Sequence, residues 1–91
     1  MDLIRKGTCL LVYPKEKDFH DKKCSNTIDL GIIETPRVGD IIFMREDHVD
    51  EKRTFRYKVQ LIERKFIKNM SDEDIMSEHI DVHATLYDYK T

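Results

Sequence analysis

Tryptophan is absent, and cysteine, glycine and proline are scarce: the 91 residues hold two cysteines, three glycines and two prolines. Two thiols cannot build the disulfide framework on which many small secreted folds depend. The expectation is a cytoplasmic protein with Cys9 and Cys24 reduced; a single Cys9–Cys24 bridge is the other arrangement left open. No apolar run approaches the roughly 18 residues needed to cross a bilayer. The short apolar patch near the N-terminus has no small-residue cleavage site and has acids on both sides, so it does not read as a signal peptide. Charge of one sign is also missing. Sixteen Lys and Arg face eighteen Asp and Glu, a formal net charge of −2, and bulk charge therefore gives no argument for nucleic acid. No glycine-rich phosphate loop, no H-E-x-x-H and no C-x-x-C is found. Asp47, Asp50 and Glu51 cluster in a loop, but without the glycine and ligand spacing of a calcium loop.

What is present is a chain 40% apolar and 37% charged. That balance suits one small globular domain over residues 1–91, with a single modest core. No internal repeat, low-complexity tract or linker interrupts it. Gly7 to Tyr13 (GTCLLVY) is rich in β-forming residues, is closed by Pro14, and reads as a first strand. Lys15 to Ser25 is a charged loop with a lone Phe19. Thr27 to Glu34 alternates, with Ile28, Leu30 and Ile32 on one face. Pro36 to Asp40 carries turn chemistry, and Gly39 permits a positive φ where the chain must reverse or bulge. Ile41 to Arg45 is a short apolar run that reads as a central, largely buried strand, and Glu46 to Arg53 is a charged hairpin loop.

Thr54 to Lys68 is an unusually long strand candidate. Phe55, Tyr57, Val59 and Leu61 share a face, but Ile62 then follows Leu61 directly. A period of two cannot change face without a bulge or a strong bend, and a bent strand can serve a curled sheet. Ser71 followed by Asp72, Glu73 and Asp74 reads as a capped short helix near 71–78, with Ile75 and Met76 tucked inward. His79 to Tyr89 alternates strictly: Ile80, Val82, Ala84 and Leu86 against His79, Asp81, His83, Thr85, Tyr87 and Tyr89. On that pattern Val82→Asp unfolds the domain, while Thr85→Asp on the opposite face is tolerated unless that face is an interface.

Five strands and one short helix point to a mainly β fold, a five-stranded antiparallel barrel or roll of SH3-like or OB-like type. The phrase PRVGDIIF, a hairpin loop and then YKV resembles the central hairpin of many small β-barrels. It also resembles short β-barrel proteins encoded by phages and mobile elements. The resemblance runs from Pro36 to Val59 and carries over no functional residue. It implies a small barrel and, as a concrete form, an inhibitor or accessory factor of a mobile element.

His79, Asp81 and His83 project from one strand face, and such side chains can ligate zinc-like ions. Residues two apart on a strand are about 6.6 Å from each other, so adjacent pairs are bridgeable but all three on one ion are awkward. Cys24 or His48 would have to complete such a site, and nothing in the sequence brings them there. An ordinary strand face is the simpler reading, and no metal or cofactor is expected. Residues 52–68 carry seven Lys and Arg against Glu63 alone, and 72–88 carry six acids with no Lys or Arg. Paired as neighbouring strands, the two segments compensate each other. Arg56, Lys58 and Arg64 otherwise form a basic stripe, with Tyr87 and Tyr89 as stacking platforms for a nucleic acid or nucleotide. A Cys24–His20 nucleophile would sit in a loop that offers no rigid scaffold. The expectation is a non-enzymatic module that binds a larger protein, with nucleic acid or nucleotide binding as the alternative and a histidine-face enzyme third. A sheet edge, or the row of Tyr and His, could also support a homodimer.

Overall fold

The structure, a computed structural model, describes residues 2–15, 19–21, 23–68, 70–71 and 75–90, the side chains of 2 and 88–90 excepted. Five strands follow in order: β1 (Asp2–Tyr13), β2 (Asn26–Gly31), β3 (Ile41–Asp47), β4 (Lys52–Lys68) and β5 (Ile75–Lys90). They make one curled, half-barrel sheet of order β2-β1-β5-β4-β3. The small β-rich fold expected from the alternating segments is what the chain adopts.

Two details of that expectation are corrected. The sheet is mixed, because β1 runs parallel to β5 from Asp2↔Ile75 to Tyr13↔Thr85. The other pairings, β1·β2, β3·β4 and β4·β5, are antiparallel. Nor is there a helix across 75–78, which open β5; residues 72–74 lie outside the described residues. The long strands decide this: Met76 pairs with Leu3 on one side and with Lys68 on the other. Ladders on both flanks satisfy backbone groups that one helical turn would leave open.

The alternation of β5 dictates the core. Ile80, Val82 and Ala84 point to one face and meet Leu10 and Val12 of β1 and Tyr57 and Val59 of β4, all buried. Ile28, Leu30, Ile42, Met44, Phe55, Ile62 and Leu86 pack around this cluster. Full burial of a side chain such as Val82 contributes about 1.5–3 kcal/mol. β2 and β3 end up on opposite edges of the sheet, so β3 is an edge strand with Ile41 and Phe43 exposed, not the central buried strand its apolar run predicts, and the connector between the two must traverse the sheet. It begins with Ile32 and Ile33, which share a small cavity with Thr8, Glu78 and Ile80. It ends in a tight turn: Asp40 N donates to the Arg37 carbonyl at 3.0 Å, with Gly39 at φ 94°. Gly39 N then donates to the Val59 carbonyl, and Val59 N to that of Asp40. This is the glycine-led bulge that the Pro36–Asp40 stretch promised.

The phase shift in β4 is resolved at Gln60. Val59 pairs with Ala84 and Leu61 with His83, so Gln60 is skipped. Its side-chain amide donates to Thr85 Oγ1 at 3.1 Å. Leu61 therefore leaves the face of Phe55, Tyr57 and Val59, and Ile62 replaces it there. Thr85 is only 3% exposed, so its face is not the solvated one expected, and an aspartate there carries a desolvation cost. β2 stops at Gly31 (φ 69°), three residues short of the expected end. Among the described residues, no helix is long and apolar enough to cross a membrane.

Candidate functional site

The face of β5 away from the apolar core carries the chemistry. β5 is the central strand, flanked by β1 and β4, so polar side chains there are sandwiched between two neighbouring rows. Asp81 and His83 are 7% and 8% exposed. Each belongs to a separate cluster.

The first cluster joins three strands. Cys9 of β1 and Glu63 of β4 are the Cα partners of Asp81, and His79 precedes it by two residues on the same face. Asp81 Oδ1 lies 2.9 Å from His79 Nε2, and Asp81 Oδ2 lies 2.5 Å from Lys65 Nζ. Burial alone raises the Asp81 carboxyl, but the Lys65 hydrogen bond and charge, together with His79, outweigh it and hold the group below its ordinary value. The hydrogen bond to Asp81 in turn raises the Lys65 ammonium. Cys9 is a free, half-buried thiol. Burial, then the charges of Asp29 and Asp81, push it up. The ligating atoms of Cys9, His79 and Asp81 all lie within 4.8 Å of one another.

The second cluster runs from phenol to imidazole to carboxylate. Tyr13 Oη is 2.8 Å from His83 Nδ1, and His83 Nε2 is 2.5 Å from Glu63 Oε1. Burial raises the Tyr13 phenol. With the ring proton on Nε2, Tyr13 donates to Nδ1 and the ring donates to the Glu63 carboxylate, an arrangement that satisfies all three groups. Phe19 packs edge-on against both Tyr13 and His83. Tyr13, Phe19, His20, Leu61, Glu63 and His83 line a groove of about 320 Å³. The trio can hold and orient a proton. None of its three members is a thiol or an aliphatic hydroxyl for it to activate.

No protein-family model, curated protein or solved structure matches the chain.

The residues singled out from sequence are therefore placed by geometry. His79, Asp81 and His83 do share a face, but they divide between two clusters. Neither of the proposed completing residues joins them: Cys24 bonds to the Asn26 carbonyl and His48 to Glu46. Cys9 takes that place instead. The basic stripe is divided as well. Arg56 and Lys58 lie on the face of Ile41 and Phe43, with the Arg56 guanidinium 5.5 Å from the Phe43 ring centroid. The skipped Gln60 sends Arg64 to the other face, where it bonds Glu78 at 3.1 Å. Tyr87 is skipped in the β4·β5 register and stands exposed, and Tyr89 is the Cα partner of Phe55. The acid-rich and base-rich segments do compensate each other: Arg64 bonds Glu78, and Lys65 bonds Asp81. Cys9, Lys65, Tyr13, Phe19 and Glu63 were not foreseen as site residues. Cys9 shares the odd-numbered parity of Leu11 and Tyr13, yet only the parallel β1·β5 register reveals its neighbours.

Proposed function

We propose that this chain is a non-enzymatic protein-binding module that takes an extended segment of a larger protein onto the open edge of β3. One observation carries the reading: β3 ends the sheet, and Ile41 and Phe43 are 47% and 56% exposed on it. Val59 exchanges backbone bonds with the Gly39–Asp40 bulge. By the alternation of an antiparallel ladder, Ile42 and Met44 then face β4, and the N–H and C=O groups of Ile41, Phe43 and Arg45 point outward. An edge of this kind is a template for strand addition. Lys58 stands across from Ile41, and Arg56 covers Phe43. That surface suits a strand bearing apolar side chains and an acid.

The dimensions agree. The chain extends 49 × 32 × 19 Å, with a radius of gyration of 15.4 Å against about 12 Å for a compact domain of this length. Its accessible surface is 6588 Å², where an ordinary monomer of this mass has about 5,600 Å². The excess supports a surface completed by a partner. In its concrete form the module is an inhibitor or accessory factor, working in a reducing cytoplasm, of the phage or mobile-element kind that the Pro36–Val59 hairpin resembles. The nucleic-acid alternative has less support, since Arg64 is bonded to Glu78 on the face opposite Arg56 and Lys58.

Phe43→Pro tests it. Proline removes an N–H that points away from β4, and edge strands accept it. The wild-type chain, immobilised, retains its partner from source-cell extract; Phe43→Pro loses it and Tyr87→Ser keeps it. Retention by Phe43→Pro sinks the reading. Sedimentation showing a dimer that Phe43→Pro makes monomeric replaces the larger protein by a second copy of this chain.

A further inference from the structure

The geometry points to a divalent transition-metal site of the zinc class at Cys9, His79 and Asp81. Thiolate, imidazole and carboxylate are the donor types such ions take, and the three ligating atoms lie within 4.8 Å of one another. Bonds of about 2.0–2.3 Å to one tetrahedral ion place ligand atoms roughly 3.3–3.8 Å apart, which small side-chain rotations reach. The backbone supplies a rigid frame. Cys9 and Asp81 are register partners on adjacent parallel strands at the centre of the sheet, and His79 follows the same face of β5. Gly7 stands opposite His79 and brings no side chain against it.

The charges around Asp81 divide the work between its two oxygens. Oδ1, now bonded to His79, faces the would-be ion. Oδ2 stays with Lys65, the outer partner that orients a ligating carboxylate. Asp29, the Cα partner of Cys9 on β2, adds negative charge that favours a cation. His79 retains 31% side-chain exposure, so three protein ligands leave a fourth position open toward solvent. His83 takes no part, being bonded to Tyr13 and Glu63. Binding displaces the Cys9 proton, so affinity climbs with pH.

Titration of the reduced full chain with Co²⁺ tests the site, followed by displacement with Zn²⁺ and by equilibrium dialysis against Zn²⁺ alone. The expected result is one equivalent bound, a sulfur-to-cobalt charge-transfer band and tetrahedral ligand-field bands, all stronger at higher pH. Cys9→Ser abolishes the charge-transfer band, and Cys24→Ser leaves it intact. His79→Gln, half-buried and remote from the apolar core, weakens binding by at least about 10–100-fold, the loss typical of disturbing a metal's surroundings. Far-UV circular dichroism checks that each variant is folded. No binding by the wild-type chain, a band that survives Cys9→Ser, or a band lost in Cys24→Ser overturns the assignment.

Discussion

Between Ile80 and Thr85 the two faces of β5 are equally hidden and chemically opposite. One presents Ile80, Val82 and Ala84 to the apolar cluster; the other presents Asp81, His83 and Thr85, each under 9% exposed. A strand of alternating polarity is ordinarily half in water. Here the polar face is shielded by the rows of β1 and β4 and by Phe19, so its polar groups must find partners inside the protein. They do: Asp81 has Lys65 and His79, His83 has Tyr13 and Glu63, and Thr85 has Gln60. The difference teaches that in a central strand alternation reports which chemistry lies on each side, not which side is wet.

Substitutions along β5 break or sharpen that contrast. Val82→Asp has the largest expected effect. It places an unpaired carboxylate among apolar side chains, at a cost that rivals a total stability of about 5–15 kcal/mol, so chemical denaturation should show no cooperative transition. Thr85→Asp comes next. The new carboxylate can accept from Gln60, and Lys58 is its register neighbour, so the domain folds but loses about 1–3 kcal/mol in urea melts. A normal melt for Val82→Asp, or unfolding by Thr85→Asp alone, would reverse the assignment of the two faces.

A smaller effect is pH-dependent. Asp81 titrates below its ordinary 3.8 in the folded chain, so its pairing stabilises the fold above that value and the contribution disappears as pH falls through the lower, folded pKa. Lys65 titrates above 10.5, so its share is present below that value and is lost as pH rises beyond it. The advantage of the wild-type chain over Asp81→Asn should thus be present near neutral pH and should shrink below about pH 4 as the carboxylate is protonated. An advantage that persists undiminished well below that pH would refute the pairing. Tyr87→Ser is the mildest: Tyr87 is 67% exposed, and melting should shift by no more than about 0.5 kcal/mol.

Much of this architecture is written in local periodicity. The five strands announce themselves through alternation and apolar runs, the turn through Gly39, and the bulge through the adjacency of Leu61 and Ile62. What local pattern cannot carry is pairing over distance. The parallel contact of β1 with β5 joins residues some seventy positions apart, as Tyr13 to His83 shows, and no period in either strand encodes it. The same gap hid Cys9, whose apolar sequence neighbours read as core. Ser71 and the acids after it carry a genuine helix-start signal, but from Met76 onward two ladders outweigh it. Histidines at 79 and 83 looked like one constellation because spacing within a strand is legible. Only the neighbouring strands reveal that each has its own partners.

The strand order also predicts a sequence in time. β1 with β2 and β3 with β4 are hairpins, and no ladder joins one to the other. They are joined only through β5, the last of these five in chain order, which lies between them. Until β5 pairs, Leu10, Val12, Tyr57 and Val59 have no central strand to pack on, and two open edges stand exposed to any other chain nearby. Pulse-labelled hydrogen exchange should find the amides of Val82 and Ala84 protected no earlier than those of β1 and β4; protection of β5 ahead of both hairpins would contradict this order. The fold is thus a keyed assembly, in which one central strand locks two otherwise separate hairpins together.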